Sequence, residues 1–128
     1  MNKREDLIYP ELSYGIVGIL FDVYNEVGFG HKEKYYQNAI RVALKNTKFR
    51  FKEQVYSPLE YKEERIGKYF LDFLIEEKII LEIKVGSLFR RQNIDQVYAY
   101  LKANNLKLGI IANFTRTGVS YKRIVNIK

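Results

Sequence analysis

Residues 69–85 read YFLDFLIEEKIILEIKV. Two apolar runs flank the charged triplet Glu76-Glu77-Lys78, the pattern of two strands joined by a tight turn. Side chains of a strand alternate between faces. Ile80, Glu82 and Lys84 therefore share one face, and Ile79, Leu81, Ile83 and Val85 share the other. A Glu and a Lys two apart in an otherwise apolar strand need a reason, because burying such charges is costly unless they are paired or bind a metal. Asp72, between Leu71 and Phe73, is a second anomaly of the same kind. Opposite residues of an antiparallel pair face the same side. A three-residue turn at Glu76-Glu77-Lys78 sets Asp72 opposite Glu82. A two-residue turn sets it opposite Leu81 and parts the carboxylates. We expect the first register, which gathers Asp72, Glu82 and Lys84 into one pocket.

Two carboxylates and a lysine form a chemical unit. Hard divalent cations such as Mg²⁺ choose oxygen ligands, often one or two carboxylates with waters and a substrate phosphate. Such an ion acidifies a water and clamps a phosphoryl oxygen, and a nearby ammonium offsets the charge that develops on phosphorus. The product is a phosphodiester hydrolase that needs neither His nor Cys. The competing reading is a Glu82–Lys84 ion pair on a half-exposed sheet with Asp72 at the surface. The uninterrupted apolar neighbours on both strands favour a site.

Outward from the hairpin, the pattern changes. Residues 10–27 read as a helix, with Pro10 and Glu11 in the first turn, Leu12, Ile16, Leu20, Val23 and Val27 on one face, and Gly28 as the stop. A second helix is expected from about His31 to Lys45, with Tyr36, Ala39, Ile40 and Ala43 inward. Residues 49–61 read as one or two strands, one at an edge because of Pro58. Residues 63–67 read as a turn and 68–75 as a strand. A helix follows over about 90–104, then a buried strand at 107–114 and a weakly alternating one at 121–127. The expected order is α α β β β β α β β, an α/β domain around a mixed sheet spanning 1–128.

Composition narrows the chemistry. The 128 residues contain no Cys and one His, His31, which excludes thiolate zinc, Fe–S clusters, Cys nucleophiles and multi-histidine metal sites. No apolar run is long enough to span a membrane, and MNKREDLIYP lacks the apolar centre of a signal peptide. We therefore expect a cytoplasmic protein. The net charge is +7, and residues 65–128 carry all of it, with twelve basic residues against five acidic. Such a half-surface attracts polyanions, chiefly nucleic acid. Arg90 and Arg91 are candidates to grip a phosphate backbone, against a merely solvated loop. Arg116, Lys122, Arg123 and Lys128 form a basic C-terminal stretch suited to generic backbone contact. Eleven Tyr and eight Phe invite a base-stacking role, but their periodic placement argues for core packing.

The hairpin string D-x9-E-x-K, Asp72…Glu82-x-Lys84, resembles the core motif of the PD-(D/E)XK nuclease superfamily. Gly30-His31-Lys32-Glu33-Lys34-Tyr35-Tyr36 fits G-x-x-E-x-x-Y, the signature of the GxxExxY family within it. The segments 23–30, 67–85, 96–102 and 108–114 are similar to that family in order, so the resemblance runs from about residue 12 to the C-terminus. It implies a restriction-endonuclease-like core, a mixed sheet flanked by helices. It also implies a Mg²⁺ or Mn²⁺ site on Asp72 and Glu82 with Lys84 as the catalytic lysine. Glu33 would reach the pocket from a helix, directly or through a metal-bound water; its plain alternative is a first-turn acid favourable to the helix dipole. Gln96 matches a position placed near the active site, and Tyr36 is a core or site-wall residue. Leu71 stands where the motif's Pro would be, and Tyr24 where many members have His.

The function expected is a metal-dependent endonuclease hydrolysing phosphodiester bonds, with DNA favoured over RNA as partner. The alternative is a non-catalytic nucleic-acid-binding or partner-binding module that keeps the fold. A homodimer suits small nucleases that cut two strands, although no sequence feature marks an interface.

Overall fold

The computed structural model describes residues 8–127. Lys128 and the first seven residues of the N-terminal stretch lie outside the described residues. The chain forms α1 (Pro10–Val27), α2 (Glu33–Lys45), β1 (Phe51–Tyr61), β2 (Glu64–Ile75), β3 (Ile79–Val85), α3 (Arg91–Ala103), β4 (Leu108–Thr115) and β5 (Gly118–Val125). The strands lie in the order β1-β2-β3-β4-β5. Only β3 and β4 are parallel, and α3 makes the crossover that a parallel pair requires.

Three layers result. Ile16, Leu20 and Val23 of α1 and Tyr36, Ile40 and Leu44 of α2 recur at helical spacing. They pack on the sheet face carrying Phe73, Ile75, Ile79, Leu81 and Ile83. Val97, Tyr100 and Leu101 of α3 cover the other face against Leu71, Leu74, Ile80 and Ile111. Pro10 occupies the first turn of α1, where its missing N–H costs nothing. Gly28 ends that helix at a φ of 71°, a conformation glycine adopts without strain.

Residues 51–61 form one continuous strand rather than two, and Pro58 does lie on an edge strand. Glu64 to Gly67 belong to β2, not to a turn. The reversal is confined to Lys62 and Glu63, both with positive φ, the tight hairpin geometry whose twist matches the flanking strands. The last strand begins at Gly118 and pairs fully with β4.

The β2–β3 turn has the three-residue length expected, since Ile75 pairs with Ile79 and Phe73 with Leu81. Only Phe73–Ile75 of β2 pair with β3. The rest of the β1–β2 hairpin overhangs as a two-stranded arm. At its root the two strands change face together. Phe73 lies in the α1/α2 core, yet Leu71, two residues away, lies in the α3 core. A regular strand would send both to one side. The change falls where the ladder skips from Glu53–Phe73 to Val55–Leu71 and where Gln54 takes a φ of 49°. Asp72 sits at that pivot.

Gly109 of β4 leaves no room for a side chain beneath α3, because a Cβ there would stand 2.5 Å from Val97 Cγ1. Val97 is buried and stiff at χ1. Gly109→Ala should destabilise the fold by about 1–3 kcal/mol through overpacking. Val97→Ala in the same chain should restore part of that loss in thermal or urea unfolding; unchanged stability in Gly109→Ala would contradict this packing.

Candidate active site

Beyond the Phe73–Leu81 pair, β2 and β3 stop exchanging backbone bonds and the carboxylates take over. The Asp72 N–H donates to Glu82 Oε1 at 2.6 Å. The Ile83 N–H donates to Asp72 Oδ2 at 2.7 Å. Each acid thus satisfies a peptide group of the opposite strand, which a buried backbone requires. The result is a fork in the sheet with two carboxylates threaded into it. Both are buried, Asp72 at 7% exposure and Glu82 at 6%.

Three further side chains surround the fork. Gln37, one turn along α2 from Glu33, donates from Nε2 to Asp72 Oδ1 at 3.1 Å. Lys84 Nζ lies 3.9 Å from Glu82 Oε2. Glu33, the first residue of α2, is close enough for its charge to raise the pKa of both carboxylates. Burial is the main cause of both shifts. It raises Asp72 to about 6 against the bonds from Ile83 and the charge of Lys84. It raises Glu82 to about 8, with the Asp72 charge adding to it. The pair behaves as one unit that retains a proton well above the ordinary carboxylate range.

Hard divalent cations take oxygen ligands, and two buried acids that repel one another are a donor set whose strain a cation relieves. The residues fit such an ion in kind. As placed, Asp72 Oδ1 and Oδ2 and Glu82 Oε1 already accept N–H bonds. Among the described residues no group of three or more acidic or His side chains is gathered tightly enough to hold a metal. A carboxylate oxygen has two lone pairs, so one that accepts an N–H can still coordinate a cation.

Other residues singled out in the sequence fall elsewhere. Tyr36 is fully buried, stacks on Phe114 at 4.3 Å and donates its hydroxyl to the Gly28 carbonyl. It fastens the loop before α2 and does not wall the carboxylates. Gln96 lines a groove of about 630 Å³ between α3 and the arm, together with Ser57, Leu59 and Tyr69, and not the fork itself.

The five basic candidates do not form one surface. Arg90 precedes α3 and Arg91 pairs with Asp95 at 3.5 Å, both exposed at the carboxyl ends of β3 and β4. Arg116, in the β4–β5 turn at that same end, lies over the Phe29 ring. Lys122 is exposed on β5, opposite Ile111 of the α3 face. Arg123 pairs with Ile110 of the other face and donates to the Ile8 carbonyl at 3.0 Å. Alternation along one strand separates the last two.

The sequence reading missed two residues. Gln37 had a signal, since i and i+4 share a helix face. Asn113, the polar residue inside LGIIANF, is 1% exposed. It stands beside Lys84 in parallel register and its amide donates to the Gly86 and Leu88 carbonyls. It holds the loop that follows the Lys84 strand.

The layers and the strand order define a restriction-endonuclease-like α/β fold. The chain belongs to the PD-(D/E)XK nuclease superfamily, whose family model matches residues 10–124. No curated protein matches it. Among solved structures, the crystal structure of SSO0001 is similar in fold, with a TM-score of 0.59 at 16% identity. The match covers 98% of this chain and 63% of that one, so the chain spans under two thirds of its relative's length. No described helix is long and apolar enough to cross a membrane.

The raised carboxyls make the metal-free fold sensitive to base. Their folded pKa values exceed the unfolded ones, so the folded chain binds more protons between about pH 4 and pH 8. That stability is complete below pH 4 and is lost as pH rises through 8. Glu82→Gln keeps an acceptor for the Asp72 N–H and removes the buried charge. Its stability relative to wild type, measured by urea unfolding in EDTA, should rise from pH 5 to pH 8 by up to about 1.4 kcal/mol per pH unit. A pH-independent difference would show that the pair is not strained by burial.

Proposed function

We propose that this chain is a metal-dependent nuclease of the GxxExxY type, cutting phosphodiester bonds with water as the nucleophile. One observation carries the reading: two buried carboxylates, Asp72 and Glu82, interlock across a strand fork with Lys84 3.9 Å from one of them. An ion pair alone would not need a second acid in the same buried place, since a like charge only adds to its cost.

Asp72 and Glu82 would hold a Mg²⁺ or Mn²⁺ ion, with Glu33 completing the oxygen set directly or through water. When bound, that ion supplies Lewis acidity to a phosphoryl oxygen and acidifies the attacking water. Lys84 orients that water from beside Glu82 and offsets the negative charge that builds on phosphorus. Gln37 fixes the rotamer of Asp72. Arg90, Arg91 and Arg116, at the same end of the sheet as Lys84, bind the phosphate backbone, which positions a substrate without reading its sequence. The excess positive charge of the second half of the chain supports a polyanionic substrate. DNA is the substrate we favour.

A cleavage panel of linear, single-stranded and branched DNA and of RNA, with Mg²⁺, Mn²⁺ or EDTA, tests the reading. Cutting should require the metal. Asp72→Asn, Glu82→Gln and Lys84→Ala should each lower the rate by about 100-fold or more while remaining folded. Cutting that survives in Asp72→Asn would reject the site. A folded wild type that binds nucleic acid but cuts nothing on the panel would favour a binding module.

A further inference from the structure

We infer that Tyr56 and Phe70, on the arm beside the carboxylate fork, form a shelf on which an unpaired base of the substrate stacks. The inference rests on the nuclease reading above and narrows it to nucleic acid with a single-stranded or unpaired nucleotide next to the scissile phosphate.

The two residues are direct cross-strand partners. Their rings stand 5.7 Å apart at 58°. Both are exposed, at 44% and 47%, on an arm that β3 does not cover. Most other aromatics near the fork are spent on the core: Tyr36 and Phe114 stack on each other and Phe73 packs on Phe51.

The shelf lies on the same side of the sheet as the α2 residues that approach the fork. Val55 and Leu71 turn to the α3 core, so alternation sends their neighbours Tyr56 and Phe70 to the opposite side. That is the side of α2, from which Gln37 reaches Asp72. Phe70 precedes Asp72 by two residues, about 7 Å along the strand. A nucleotide flanking a phosphate at the fork lies within that reach.

The charges around the rings match a nucleic-acid backbone. Lys68 Nζ lies 5.7 Å from the Phe70 centroid, and Arg65 Nη1 donates to the Tyr56 hydroxyl at 3.0 Å. Aromatic faces interleaved with cations are how proteins hold single strands without reading their sequence. Duplex bases are already stacked on one another and offer the shelf no free face.

The test is binding in EDTA, where no cutting occurs, with a fluorescein-labelled oligothymidylate and a blunt hairpin duplex as probes. Phe70→Ala and Tyr56→Ala should each weaken single-strand binding by about 10-fold and change duplex binding by less than about 2-fold. Phe70→Tyr should bind like wild type. Lys68→Gln should weaken both probes alike and flatten the salt dependence. Both residues are exposed, and circular dichroism checks that the variants fold. Equal weakening on both probes, or none on either, in Phe70→Ala and Tyr56→Ala would overturn the shelf while leaving the nuclease reading intact. Failure of the wild type to bind either probe would overturn both.

Discussion

At the fork between β2 and β3 the sheet replaces two of its own ladder bonds with bonds to carboxylates. The peptide groups of Asp72 and Ile83 still find acceptors, but those acceptors are the side chains of Glu82 and Asp72. The exchange sets the rest of the architecture. Strands that no longer pair backbone to backbone diverge, so β2 runs on with β1 as a free arm. The α1/α2 layer and the α3 layer cover the two faces of the sheet, and both carboxylates are buried there. The cover in turn withdraws water and raises both pKa values. The site is thus held at a cost in stability that a proton relieves.

The surrounding helices serve that fork in different ways. Tyr36 anchors the start of α2 through the Gly28 carbonyl, which places Glu33 and Gln37 on the side of Asp72. Gly109 lets α3 lie close on the sheet. Asn113 ties down the loop between β3 and α3, and Tyr24 ties down the β4–β5 turn through the Thr115 and Arg116 carbonyls. These bonds fix the end of the sheet where Lys84, Arg90 and Arg116 emerge. The arm, by contrast, carries exposed aromatics and cations, and among the described residues no helix lies over its Tyr56–Phe70 face.

Much of this was legible in the sequence, for identifiable reasons. Alternation in IILEIKV put Glu82 and Lys84 on one face, and a three-residue turn at 76–78, preferred over a two-residue one because it gathers the charges, set Asp72 opposite Glu82. Pro10 and Gly28 bounded α1, and Pro58 placed β1 at an edge. The turn expected at 63–67 shrinks to Lys62 and Glu63, which make the reversal with φ values that composition does not reveal. Tyr36 was left between core and site because a hydroxyl's partner 8 residues away is a tertiary fact.

The sequence by itself determined which residues bear charge inside apolar strands, and hence the Asp72, Glu82 and Lys84 set, because the strand period and the cost of burial are local rules. Tertiary structure alone decided which of those charges meet. Gln37 reaches Asp72 because α2 packs on that face, a contact across 35 residues. Lys122 and Arg123 part because β5 pairs with β4 in one register and not another. The face change at Gln54 and Asp72, which turns Tyr56 and Phe70 toward the α2 side, comes from a break in the ladder between two strands. Such a break belongs to the pairing, and neither strand's sequence contains it alone.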